Sequence, residues 1–244
     1  MRRIKLVRRP TTRQRGRQLG LTLPTWGGAR RGAGRKPSRP GRVSHARRAP
    51  LASRFPVHVT LKLDQALPSL RDSALLPVVE QVLRDSKERQ GFRLVHYSIQ
   101  EHHLHLVVEA RDAQGLSRGM QGLGIRLAKR INRALGTRGR VFVDRYFAHI
   151  LKTPRETRAA LVYVLNNVKR HALQRGERLA RGWVDDRSSG RYLDGWREQT
   201  RPPPADEVPP VAPARTWLLS RGWRRCGLLA ADEVPAAGAR DRGR

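Results

Sequence analysis

The stretch FRLVHYSIQEHHLHLVVEA, from Phe92 to Ala110, constrains the fold more than any other part of the chain. It reads as two strands joined by a tight turn around Glu101, hence an antiparallel hairpin. In the second strand His103 and His105 flank Leu104. Residues two apart on a strand point to the same face, so the two imidazoles project together and Leu104 projects the other way. Such a pair suits one divalent cation, which would need a third ligand from elsewhere. It suits equally well the polar outer side of an amphipathic hairpin.

The flanking pattern supplies the rest of a domain. Val57, Val59, Leu61 and Leu63 alternate with His58, Thr60 and Lys62, which gives a half-buried strand. A helix follows, with Ser73 able to cap it, Pro77 near its first turn, Val78, Val79, Val82 and Leu83 as its stripe and Gly91 as its stop. After the hairpin, Leu116, Met120, Leu123, Leu127 and Ile131 fall at helical spacing up to Gly136. Gly139 to Leu151 reads as a further strand. Thr153 then opens a final helix, TPRETRAALVYVLNNVKRHAL, through a capping box with Glu156 and with Pro154 at the first helical position. On that helix Tyr163 and Asn167 are four apart and share a face continued by Arg170, while Leu161, Leu165 and Val168 should pack on the sheet. If the Tyr163 face overlooks the histidines, Asn167 can offer an oxygen to a metal and Tyr163 its phenol oxygen to a substrate. The other reading makes Tyr163 an interfacial core residue. The order β-α-β-β-α-β-α gives a small α+β domain, an antiparallel sheet with helices packed on it.

Charge narrows the partners. The 244 residues carry 51 Lys and Arg against 20 Asp and Glu, a formal net charge of +31. A field of that sign calls for a polyanion, nucleic acid before an anionic membrane surface. No apolar run approaches a bilayer span, and the basic start lacks the apolar core of a secretory signal, so the chain reads as cytoplasmic. Cys226 is the single cysteine, which excludes an intrachain disulfide and a cysteine-based zinc cage. Residues 1–50 hold 16 Lys or Arg, and no acid precedes Asp64. Residues 1–54 therefore read as a disordered basic arm. Within it Arg35 and Lys36 could enter a narrow minor groove, although a solvated phosphate-binding tail is the favoured reading. The face carrying Arg118, Arg126, Lys129, Arg130 and Arg133 has no acid between Asp112 and Asp144, and we read it as lining a phosphate backbone. Residues 55–175 form the domain. Residues 176–244 are an irregular, Pro-rich region in which a short helix could pack Trp217, Leu218 and Trp223 on the domain.

From His58 to Leu173 the chain resembles the single-tyrosine HUH transposases, IS200-like and in particular REP-associated tyrosine transposases. The resemblance is carried by His103-Leu104-His105, by YVLNN with Tyr163 and Asn167, and by the order of the elements. It implies an HUH/ferredoxin-like, RRM-like core and a divalent metal, Mg²⁺ or Mn²⁺, held by His103, His105 and Asn167. It further implies cleavage and rejoining of single-stranded or hairpin DNA through a 5′-phosphotyrosine on Tyr163, with Lys169 and Arg170 on the flanking phosphates. A homodimer and a nucleoid location in the cytoplasm follow from the same likeness. His102 stands where the family often has Asn, and we read it as shaping the turn. A domesticated non-catalytic hairpin DNA- or RNA-binder, a metal-dependent nuclease using water and a basic RNA-binding protein are the rival readings.

Overall fold

A computed structural model describes residues 49–198, 200, 203, 204 and 206–236. The chain divides into two units, residues 1–40 and 41–244, and all described residues belong to the second. Arg35 and Lys36 lie outside them.

The α+β architecture is as the alternation predicts. Strands β1 (Val57–Lys62), β2 (Glu88–Arg89), β3 (Phe92–Ile99), β4 (His103–Ala110) and β5 (Phe147–Ile150) form one sheet in the order β2-β3-β4-β1-β5. Every pairing is antiparallel. Helix α1 (Leu76–Asp85) and helix α2 (Ala113–Leu135) cover one side. Leu116, Met120, Leu123, Leu127 and Ile131 of α2 all bury there, against Val57, Val59 and Leu61 of β1 and Leu104, Leu106 and Val108 of β4. Asp112 caps α2 and Gly136 ends it in the left-handed conformation at φ 64°.

Three local expectations are corrected. Ser73 does not cap α1, whose N-cap is Leu75 without a side-chain bond, and α1 stops at Ser86 rather than Gly91. Gly91 instead turns β2 into β3 at φ 74°, a value that suits glycine. The strand expected over Gly139 to Leu151 reduces to the four residues of β5, preceded by a single bridge from Phe142 to Leu63.

Helix α3 (Pro154–Leu165) lies on the other side of the sheet, opened by the capping box of Thr153 and Glu156. It does not run on to Leu173. The chain breaks at Asn166 and resumes as α4 (Asn167–Gln174). Asn166 is fully buried, and its side-chain amide donates to the carbonyls of Ala230 (3.1 Å) and Glu233 (2.9 Å). An asparagine offered such partners leaves the helical ladder readily. Consequently Val164, not Val168, joins Leu161 and Leu165 in the buried stripe.

The C-terminal region closes this second side. Trp196, Trp223, Leu229 and Ala231 bury with Leu161, Val164 and Leu165. Arg158 clamps Glu233 through bonds of 2.7 and 2.8 Å. The expected short helix exists as α5 (Trp217–Ser220). It buries Leu218, and Trp223 follows in a 3₁₀ turn, but Trp217 is 47 % exposed rather than packed.

Candidate functional site

Cross-strand register gathers the chemistry on the α3 side. Thr60 lies opposite His105, Lys62 opposite His103 and His58 opposite Val107. The polar members of both alternations therefore share one face, and β5 adds His149 opposite His58. From above, Tyr163 of α3 brings its ring centre to 5.0 Å from that of His105 and 5.5 Å from that of His58, edge-on in both cases. The rings of His103 and His105 are 4.7 Å apart, and those of His58 and His105 are 5.5 Å apart. His171 of α4 stands 6.1 Å from His103. The structure thus brings together Tyr163, His103 and His105.

Burial sets the electrostatics of this face. Burial, reinforced by His103, His58, His171 and Lys62, holds His105 well below the ordinary histidine range. Burial and then His149 push His58 down to about 4. Both rings are consequently neutral at neutral pH and keep a nitrogen lone pair. The Nδ1 of His105 lies 3.2 Å from the Thr60 hydroxyl, while its Nε2 is buried with no hydrogen-bond partner among the described residues. If Nδ1 donates to Thr60, the Nε2 lone pair is left for a cation. The Nε2 of His58 is likewise buried without a partner.

These donors fit a divalent cation, because buried, neutral, unpartnered imidazole nitrogens are costly unless something binds them. Among the described residues no group of three or more His, Cys, Asp or Glu is spaced to hold a metal. The pair of histidines therefore needs an oxygen donor. Asn167, 1 % exposed at the first residue of α4, has a buried amide nitrogen with no partner among the described residues. Its relation to Tyr163 is not the i, i+4 geometry of one continuous helix, since Asn166 separates α3 from α4.

Several expected DNA contacts are placed differently. Lys169 is buried, and its ammonium donates to the carbonyls of Trp183 (2.6 Å) and Ala231, with Asp232 at 3.7 Å. It fastens the C-terminal region and is not available to a phosphate, a correction that follows from the fold-back of that region. Arg170 is half-buried beside it. On α2, Arg118, Lys129 and Arg133 are exposed, Arg126 donates to the Ser86 hydroxyl at 3.0 Å, and Arg130 lies 3.4 Å from Asp85. All five sit on the helix covering the apolar side, so they do not line the Tyr163 face.

The other tyrosines separate cleanly. Tyr97 is buried in the apolar core, and Tyr146 and Tyr192 pack against that same cluster. Tyr163 alone of the four packs against the α3-side cluster. His58, Thr60 and His171 are neighbours of the site that local sequence pattern did not single out. Their signal lies in strand pairing and in the helix break, which span 45 or more residues.

The family described as "Transposase IS200 like" matches residues 54–167, a span that contains His58, the histidine pair, Tyr163 and Asn167. No curated protein matches the sequence. Among solved structures, the chain is similar to a REP-associated tyrosine transposase bound to a REP hairpin, at 15 % identity over 53 % of this chain and 74 % of that one, with a TM-score of 0.43. It is also similar to a protein of Deinococcus radiodurans R1 carrying a transposase assignment, at 14 % identity over 57 % and 99 % of the two chains, with a TM-score of 0.35. Over residues 54–167, from the segment before β1 to the first residue of α4, the chain is thus similar to the IS200-like transposase family.

Proposed function

We propose that the protein is a DNA strand transferase that cleaves and rejoins single-stranded DNA at hairpin-forming elements, with Tyr163 as the nucleophile. The observation that carries this reading is the Tyr163 ring at 5.0 Å from His105, over the face that also holds His103. The phenol oxygen attacks a backbone phosphorus, the P–O3′ bond breaks, and the 5′-phosphate stays on Tyr163. The proton lost by the phenol is regained overall by the departing 3′-hydroxyl. Attack by a 3′-hydroxyl on the phosphotyrosine reverses the step and joins strands without water.

His103 and His105, with Asn167 as the oxygen donor, would hold Mg²⁺ or Mn²⁺, which supplies Lewis acidity to the phosphate oxygens when bound. Thr60 orients His105 by accepting from its Nδ1, and burial keeps His105 neutral. The exposed ammonium of Lys62, opposite His103, and the guanidinium of Arg170 hold substrate phosphates. An unpaired strand is required because the phosphodiester must bend onto a phenol set against the sheet. No helix among the described residues is long and apolar enough to cross a membrane, and a DNA substrate places the enzyme at the nucleoid.

A labelled hairpin with a single-stranded flank, incubated with Mg²⁺ or EDTA and run on a denaturing protein gel, tests the reading. Wild type should form a covalent adduct only with metal. Tyr163→Phe removes one oxygen and keeps the ring, so it should bind DNA normally and form no adduct, whereas Tyr146→Phe should still form one. Adduct absent from wild type across several hairpins would favour a non-catalytic binder.

A further inference from the structure

At the far end of β4 from the histidines the surface opens into a cleft of about 810 Å³. Its walls come from the segment before β1, the β2–β3 turn, the end of β4 and the start of α5. Arg54, Arg89, Arg93, Arg111 and Arg215 line it, against Glu88 and Glu109.

The acids are already engaged. Glu109 is 6 % exposed and accepts the backbone N–H groups of Arg215 (2.9 Å) and Thr216 (2.7 Å). Glu88 lies 3.4 Å from Arg93 and 3.2 Å from Arg215. Arg54 and Arg89 are exposed and have no ion pair among the described residues. Arg89 donates to the Asp85 carbonyl at 2.9 Å and Arg54 lies over the Phe55 ring, so neither neutralises a carboxylate and the cleft presents excess positive charge.

Beside these arginines stands Trp217, 47 % exposed, with the Arg225 guanidinium 5.0 Å above its ring. The Arg225 guanidinium holds that indole by a cation–π contact and leaves about half of the residue open beside the cleft. Exposed arginines beside a half-exposed indole are what an unpaired nucleotide uses: guanidinium groups for the phosphate, an aromatic surface for the base. The position also fits. Glu109 to Arg111 lie four to six residues beyond His105 on the same strand line, or about 13–20 Å at roughly 3.3 Å per residue. A few nucleotides of extended strand span that distance.

We propose that this cleft binds the unpaired flank of the DNA substrate, a few nucleotides from the phosphate that meets Tyr163. The position of that phosphate rests on the strand-transfer reading; the binding chemistry of the cleft does not. The test is fluorescence anisotropy in EDTA with two probes, a DNA hairpin carrying a short oligothymidine flank and the same hairpin without it. Wild type should bind the flanked probe about tenfold more tightly. Arg54→Ala with Arg89→Ala should erase that advantage and lower the log–log salt slope by about 1.4, two contacts at about 0.7 each, while leaving the unflanked probe unchanged. Trp217→Ala should reduce the advantage without altering the slope. An advantage that survives these substitutions overturns the proposal, as does an equal loss for both probes. The covalent-adduct gel distinguishes the two readings. Flank preference without adduct defeats strand transfer and leaves the cleft, and adduct without flank preference defeats the cleft alone.

Discussion

The two faces of the sheet are made by the same strands and do opposite things. On the α1/α2 side, Val57, Val59, Leu61, Leu104, Leu106 and Val108 are at most 4 % exposed and meet only apolar partners. On the α3 side the intervening residues of the same strands are His58, Thr60, Lys62, His103, His105 and Glu109, with Val107 the one apolar member. That face is not solvent-facing either, because α3 and the C-terminal region cover much of it. One face holds the sheet together. The other places neutral imidazoles and a phenol in a partly dry setting, where an unsatisfied polar group costs folding energy and gains value only from a ligand.

The largest effect should come from swapping neighbours across this divide. Leu106→Ala removes a fully buried side chain from the apolar face and should cost about 2–5 kcal/mol of stability. His105→Ala removes a buried nitrogen that lacks a partner, which offsets part of the cost of the lost ring packing and Thr60 contact, so stability should fall by clearly less than for Leu106→Ala. Adduct formation by His105→Ala should nevertheless fall by at least about 100-fold, as for loss of a ligand or its immediate support. Urea unfolding and the covalent gel, run on both variants, read the pair. A His105→Ala protein as unstable as Leu106→Ala would place that residue in the structural core instead of the site.

A smaller effect should appear with pH, through a histidine of the covered face that is not part of the proposed metal site. His96 is 8 % exposed, with its Nδ1 3.2 Å from the Ser189 hydroxyl. Burial pushes it down to about 4, against a smaller upward pull from Asp194. The unfolded chain binds this proton near pH 6.5 and the folded chain only near 4. The stability tied to neutral His96 is therefore full above about 6.5 and is lost as pH falls toward 4. The slope is at most about 1.4 kcal/mol per pH unit, or up to about 3 kcal/mol across the window. His96→Gln should unfold with a shallower pH dependence than wild type in urea titrations over that range. Parallel curves would mean that His96 does not carry the acid sensitivity.

Local pattern made much of this legible. Alternation gave β1, β3 and β4, helical spacing gave the α2 stripe, and Thr153 with Glu156 gave the start of α3. The His103–His105 pair followed from strand parity alone. The break at Asn166 did not, because its cause is a pair of carbonyls 64 and 67 residues later. The same distance concealed Lys169, whose sequence context reads as a basic helix face and whose ammonium is enclosed by residues 183 and 231. His58 reads as an ordinary polar strand residue until β1 is set beside β4. Side-chain periodicity reports which face a residue takes; it does not report what closes over that face.

The smallest effect concerns the outer surface of α2, which sequence reasoning assigned to the phosphate backbone. The helix packs on the apolar side of the sheet, away from Tyr163. Arg118, Lys129 and Arg133 are exposed and form no ion pair among the described residues, so their charge is available to a distant stretch of DNA. Replacing all three by Ala should leave adduct formation on a minimal hairpin unchanged, since none reaches the histidine face. If a longer strand passes around the sheet edge to α2, each lost contact should lower the log–log salt slope of its binding by about 0.7, or by about 2 for the triple variant. The minimal hairpin should show no change of slope. A drop with the minimal hairpin, or a fall in its cleavage, would mean that the two faces are joined by the substrate at short range and that their separation in function is wrong. No change with either probe would show that the basic surface of α2 serves something other than this DNA.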